Sequence, residues 1–382
     1  MSQALSGVRI LDLSMNLPGP YMTWLLALMG AEILKVENPA GGDYARVLGG
    51  GKNTPYFEAV NRNKKSLTLN LKHPEGQRLF HKLLSVYDIV VEGFRPGTMA
   101  QFGLDFASLS PNYPRLIYVS ISGYGQDGPY RSRAGHDINY LALAGILGMT
   151  GSREGDPALP GIQIADLAGG SLMALCGLLA AIIQREKTGK GQFVDTSMFH
   201  GSLSLATMVF AGIDQGLEQP LPGKMLLNGR FPCYGLYRTA DGSYMSLGAL
   251  EFKFWESFCR ATGREDLIAK QFGGPEIIAE VAQIFCGRNR EEWIELMRDA
   301  DACCEPVLAL DEAVSSPAAN TFGMVKHMED GKRFLSTPLR LSNSPVPKDI
   351  PAPSLGQHSR EVLREIGLTA TDCEELSRQG VI

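Results

Sequence analysis

The sequence is short of several things. It has no C-x-x-C pair, and its seven cysteines are an odd number spread along 382 residues. Cys303 and Cys304 are adjacent and cannot form an unstrained bridge with each other, so the reading is reduced thiols in a reducing compartment. Positive charge is not in excess. Lys and Arg number 36 against 41 Asp and Glu, a net charge of −5. That excludes a nucleic-acid polycation but leaves room for local basic patches. The six histidines include no H-E-x-x-H and no helix-face metal spacing, and G-x-S-x-G is absent. No metal site is expected, and metal-dependent and serine hydrolysis lack support. Internal repeats and low-complexity tracts are missing too. The opening MSQALSGVRILDLS has no basic stretch followed by a long apolar one, and Gly380-Val381-Ile382 is neither a peroxisomal nor a prenylation signal. A cytoplasmic protein is the expectation.

What is present is an ordinary globular composition, 44% apolar and 20% charged, long enough for two domains and a sizeable core. Strand and helix signals alternate through the first part of the chain. Strands are expected at Val8–Leu13, Glu32–Val36, Leu67–Leu71, Asp88–Val91, Leu116–Ser122 and Gln192–Thr196. Helices are expected at Tyr21–Met29, opened by Pro18-Gly19-Pro20, and at Pro74–Val86 and Ile138–Leu147. Strands spaced by helices predict an α/β fold with a mostly parallel sheet over residues 1–219. Near residue 220 the pattern changes. A hairpin around Asp241-Gly242 and helices at Glu251–Thr262, Pro275–Phe285 and Arg290–Asp299 predict a smaller α+β domain over 220–320. A proline-rich stretch and a helix at Ser359–Ile366 make up a C-terminal segment, 321–382. Leu167–Gln184 has no charge over 18 residues, the length of a membrane span. Gly169-Gly170, Asp166 and the lack of a second such segment favour a buried helix inside the expected helix Ile164–Gln184. Neither a membrane nor a nucleic acid is an expected partner.

Two glycine-rich stretches fail as nucleotide loops. Gly123-Tyr124-Gly125-Gln126-Asp127-Gly128 follows a strand, but Pro129, Arg131 and Arg133 follow it where a helix should start, so it reads as a turn. Gly49-Gly50-Gly51-Lys52 lacks the first glycine of a phosphate loop, replaced by Arg46, and its Ser or Thr, replaced by Asn53. Three other residues stand at places suited to chemistry. His136 lies just ahead of a helix, whose positive end disfavours imidazolium and leaves the neutral base; alternatively it is a loop residue and Asp137 caps the helix. Asp166 opens the long apolar helix. The dipole favours its ionised form and burial the neutral one, and the balance separates a nucleophile, a proton donor and a simple cap. Glu251 follows Gly248-Ala249-Leu250 at a strand-to-helix junction, as a first-turn acid or a catalytic one.

Taken together, these sites resemble the family III CoA-transferase superfamily, and within it the alpha-methylacyl-CoA racemase branch. The resemblance runs over nearly the whole chain. It is carried by Leu11-Asp12-Leu13-Ser14 with Pro18-Gly19-Pro20, Gly30-Ala31-Glu32-Ile33-Leu34-Lys35-Val36-Glu37, Asn61-Arg62-Asn63-Lys64-Lys65-Ser66, Gly93-Phe94-Arg95-Pro96-Gly97 and Thr188-Gly189-Lys190-Gly191-Gln192. The racemase-like features are His136 in Gly135-His136-Asp137-Ile138-Asn139-Tyr140 and the acid Glu251; Asp166 is shared with the transferases. There are departures: Phe252 stands where Pro is usual, Asn70 where Leu-Asp-Leu-Lys is usual, and Asn38 where Arg is frequent. The resemblance implies a Rossmann-like large domain built from both chain ends, a small inserted domain, and an interlocked homodimer in which Glu251 acts in trans. It implies catalytic His136, Asp166 and Glu251, and coenzyme A contacts from Lys35, Leu69, Lys72, Phe94, Arg95, Gly135, Asp137, Asn139 and Tyr140. The expected activity is racemisation of 2-methylacyl-CoA thioesters through an enolate. The alternative is transfer of CoA between carboxylic acids through an Asp166 acyl anhydride. No cofactor is expected beyond the coenzyme A carried by the substrate.

Overall fold

Six short aliphatic runs form one sheet. In the computed structural model, which describes residues 3–51, 54–153, 155–328 and 331–382, these are β1 (Arg9–Asp12), β2 (Glu32–Glu37), β3 (Lys65–Thr68), β4 (Ile89–Glu92), β5 (Ile117–Ser122) and β6 (Phe193–Ser197). Lys52 and Asn53 of the rejected phosphate loop lie outside the described residues. Every pairing is parallel, and the order is β3-β2-β1-β4-β5-β6. Both faces are covered, so β4 and β5 are buried along their whole length and read as continuous apolar runs. Alternate residues feed two cores. Leu11, Leu34 and Val90 join Phe80 and Leu363 on one side. Ile10, Ile33 and Ile89 join Trp24 and Leu178 on the other.

The chain falls into two units, one of residues 1–144, 161–205 and 324–382, the other of 145–160 and 206–323. The first holds the six-stranded sheet and both chain ends. The second holds an antiparallel sheet of β7 (Tyr234–Arg238), β8 (Tyr244–Gly248) and β9 (Cys304–Pro306). It packs on the helices Phe252–Ala261, Pro275–Cys286 and Arg290–Met297, around Trp255, Phe258, Phe285 and Trp293. Residues 145–160 therefore fall outside the sheet unit, ahead of the composition change at 220. The helix expected at Ile138–Leu147 stops at Leu143, and Gly145 takes a left-handed φ of 78° before a short turn of helix. A second C-terminal helix, Ala370–Arg378, follows the expected one.

The long apolar helix runs from Ala165 to Thr188, and its 18-residue apolar window is only 39% buried. It is not covered all round within the chain. One face meets β5 and β6, while Leu172, Met173 and Ile183 are exposed. Its first eight residues are π-helical. There Gly169 lets the helix Met198–Leu205 pass backbone to backbone: a Cβ on Gly201 would stand 1.9 Å from the Gly169 carbonyl oxygen.

A fully buried charge cluster joins the end of β1, the middle of β2 and the start of β3. Asp12 accepts from Lys64 Nζ at 3.1 Å, Thr23 Oγ1 at 2.6 Å and the Ser14 amide at 3.0 Å. Burial pushes the Asp12 carboxyl up, but Lys64, Lys35 and the two hydroxyls outweigh it and hold it at about 2. Burial lowers Lys64 to about 8. Lys64→Met should cost about 3–5 kcal/mol in chemical unfolding, because it strands a buried carboxylate. The exposed Lys187→Met should stay within about 0.5 kcal/mol. Equal midpoints for the two variants would contradict this role.

Candidate functional site

In a parallel sheet of this order, the chain leaves β1 and β4 in opposite directions and opens a crevice at their carboxyl ends. A cavity of about 330 Å³ lies there, lined by Ser14–Asn16 after β1, Gly93–Pro96 after β4 and Gly123 after β5, with Arg131, Arg133, Gly135, His136, Tyr140 and Asp166. All of these belong to the first unit. Of the residues expected at the site, His136, Asp166, Phe94, Arg95, Gly135 and Tyr140 line this one cavity.

Local hydrogen bonding sets their places. His136 itself caps the helix Asp137–Leu143, with extended backbone and its amide donating to Asn139 Oδ1 at 3.0 Å. Of the two readings the sequence left open, the one in which Asp137 caps that helix does not hold. Asp137 serves the other helix: its Oδ1 accepts the Asp166 amide at 3.0 Å. A free amide in the first turn of the 24-residue helix needs an acceptor, and Asp137 supplies it from outside. Asn139 therefore acts through His136, and Asp137 through Asp166. Tyr140 donates its hydroxyl to the Gly135 carbonyl at 2.7 Å. A Cβ on Gly123 or on Gly135 would stand 2.8 Å from the Tyr140 ring. The first glycine of the G-x-G-x-x-G stretch thus makes room for a tyrosine, not for a pyrophosphate.

Asp166 is half-buried, and burial first, the Asp137 carboxyl second, push it up to about 7. Burial raises Asp137 as well, against the pull of the Asp166 and Ala165 amides. Of the two directions left open by the sequence, the shift is upward, with burial as its largest cause. A carboxyl that titrates near neutrality both gives and takes a proton at physiological pH.

The remaining expected residues divide. Leu69, Lys72 and Phe94 line an adjoining cavity of about 170 Å³ with Asn38 and Asn70. Lys35 does not reach a ligand. It is fully buried, paired with Asp43 at 2.8 Å and donating to the Ser14 carbonyl at 2.8 Å. Its charge is spent holding the loop after β1, whose Asn16 amide donates to the same Asp43 at 2.9 Å. Glu251 belongs to the second unit, exposed, at the N-cap of Phe252–Ala261. Its carboxylate contributes, after burial, to raising the Cys303 thiol. Sequence reasoning missed Arg131 and Arg133, which it used only to reject a helix; two arginines between a glycine-rich turn and His136 were the available signal. Among the described residues no group of three or more His, Cys, Asp or Glu side chains is disposed to hold a metal ion.

A model of CoA-transferase family III matches residues 5–359. The chain is 33% identical over 384 residues to the alpha-methylacyl-CoA racemase of Homo sapiens, covering 99% of this chain and 97% of that one. It is also 33% identical over 378 residues to the succinyl-CoA:glutarate CoA-transferase of Mus musculus, covering 95% and 86%. Among solved structures, a CAIB/BAIF family protein from Brucella suis superposes with a TM-score of 0.83 at 26% identity, covering 96% of this chain and 100% of that one. Relatives of equal identity thus carry two different reactions, and the geometry must separate them.

Asp137→Asn keeps an oxygen for the Asp166 amide and removes a charge. Asp166 should then titrate below its present value of about 7, read by infrared or NMR carboxyl titration. An unmoved or higher value would contradict the coupling.

Proposed function

The chain belongs to CoA-transferase family III, and on that premise we propose that it racemises 2-methylacyl-CoA thioesters by removing and returning the α-proton. The observation that carries this reading is the pairing, on one cavity, of an imidazole with a carboxyl pushed up to about 7. Inversion at carbon needs a base for one enantiomer and an acid for the other, and the two must exchange protonation states with each turnover. His136 and Asp166 fill those places. A thioester α-proton is far less acidic than either group, so the enolate has to be stabilised as it forms. The amides of Ala165 and Asp166 are taken by Asp137, so the positive end of the helix Ala165–Thr188 acts on the enolate through its dipole and not through a free donor. Positioned acid–base groups contribute roughly 10²–10⁴-fold each.

Coenzyme A is held, in this reading, across the two cavities that share Phe94. Lys72, Arg95, Arg131 and Arg133 are the cations free to meet its phosphates, in place of Lys35. Glu251 orients His136 from a second copy of the chain. The exposed apolar Leu172, Met173, Ile183, Leu203 and Leu205 of the first unit support that homodimer. CoA transfer through an Asp166 anhydride is the competing reading. That reading needs Asp166 ionised and uses no proton donor, whereas a carboxyl pushed up to about 7 is shared between its two forms near neutrality and suits proton transfer.

His136→Ala should abolish inversion of a chiral 2-methylacyl-CoA, followed by chiral chromatography, while CoA affinity stays within about threefold. Hydroxylamine should trap no acyl group on Asp166. A trapped acyl hydroxamate, with transfer to an added carboxylic acid intact in His136→Ala, would overturn the racemase reading.

A further inference from the structure

One turn borders three cavities. Phe94 lines the His136–Asp166 cavity and the one holding Lys72, and Arg95 and Pro96 line the first and a third cavity of about 340 Å³. Arg95-Pro96-Gly97-Thr98 is a tight turn. The Thr98 amide donates to the Arg95 carbonyl at 3.0 Å, and Gly97 takes a φ of 87° that a side chain would strain. That bond fixes the far half of the turn. The near half, Gly93 and Phe94, hangs on Glu92, the last residue of β4.

Glu92 is 5% exposed, and no cation pairs with it among the described residues. Its Oε2 accepts the Phe94 amide at 2.7 Å. The buried Ser120 of β5 stands next to the same carboxyl and works against its raised pKa. The Ser120 Oγ in turn accepts from the Gln126 side-chain amide at 2.6 Å. With its oxygen accepting from Gln126, the Ser120 hydroxyl keeps its one proton for the carboxyl beside it, while the Phe94 amide arrives from the turn. An unpaired buried acid is costly, and a neutral side chain would be the cheap choice for a structural strand end. We infer that Glu92 is a positioning residue for substrate binding: its carboxyl holds the turn that presents Phe94 and Arg95 to coenzyme A, without touching the substrate itself. The inference rests on reading the His136–Asp166 cavity as the thioester site.

The carboxyl works against burial. Desolvation raises it to about 7, offset by its two hydrogen-bond donors and helped by the charge of Asp195 on β6. From β5 it faces the Tyr118 hydroxyl, which has no hydrogen-bond partner, and that hydroxyl also feels Asp105. Arg95, Arg131 and Asp127 line the third cavity with it. Protonation removes the charge that strengthens the Phe94 bond, so the grip on the turn weakens as pH falls through neutrality.

The test is calorimetric titration of CoA into the full chain from pH 5.5 to 8.5, beside the KM and kcat of thioester inversion. Glu92→Ala should weaken CoA binding at pH 8 by about tenfold, the worth of one charge-assisted hydrogen bond. KM should rise with it, and kcat should move less than about threefold. Glu92→Gln keeps a carbonyl for the Phe94 amide and can donate to Ser120 Oγ. It should fold as the parent does, restore most of the affinity, and flatten the affinity's pH dependence near neutrality. Unchanged CoA affinity in Glu92→Ala, or an undiminished pH dependence in Glu92→Gln, would overturn the inference. So would a loss confined to kcat, which would make Glu92 a proton carrier. CoA affinity is read without turnover, so absence of inversion in the parent chain would count against the proposed reaction and leave this test standing.

Discussion

A single carboxylate ties the site together. Asp137 stands in the first turn of one helix and accepts the amide of Asp166 in the first turn of another. The loop that carries His136 and the helix that carries Asp166 are thereby joined by one hydrogen bond. The same contact sets two negative charges side by side, which is part of why Asp166 titrates near neutrality. Asp137 thus sets the geometry and adds to the effect of burial on the acidity. Isolated from Asp137, the long helix would begin with an unsatisfied amide and a more acidic aspartate.

Around that contact, buried charges do a second job. Asp12, Lys35, Asp43 and Lys64 have no exposure at all or almost none. They could not serve a ligand directly. They fix the loop after β1, through Ser14 and Asn16, as Glu92 fixes the turn after β4. Open α/β sheets place their ligands where these two connections part, and here both are held from below by groups that burial makes expensive to leave unpaired. Arg95, Arg131 and Arg133 on the cavity are exposed.

Much of this was legible in the sequence, and the exceptions have physical reasons. β4 and β5 were visible because strands buried on both faces are continuous apolar runs, β3 through the alternation of Leu67–Leu71, which places it two residues late, and the hairpin because Asp241-Gly242 marks a turn. His136 and Asp166 were placed at helix starts, where a loop or cap role was as open, and it was the family resemblance that marked them as catalytic. Lys35 was misread because sequence does not show which lysines a neighbouring aspartate will claim. The role of Asp137 at the second helix was not foreseen, because a contact from 29 residues away leaves no local pattern. Apolarity alone overstated the burial of the Ala165–Thr188 helix, since composition records what prefers cover and not whether one chain provides it. Glu92 drew no notice, because a glutamate ending a strand looks like any solvated charge until its burial is known.

The most direct measurement is the position of deuterium early in the reaction. One enantiomer of a 2-methylacyl-CoA is incubated in deuterated water and stopped after a small fraction has inverted. Two groups that each hold their own proton predict deuterium in nearly all of the inverted product and little in the recovered starting enantiomer. Equal labelling of both would contradict the pairing of His136 with Asp166 and point to a single base. No label in either would contradict proton abstraction altogether.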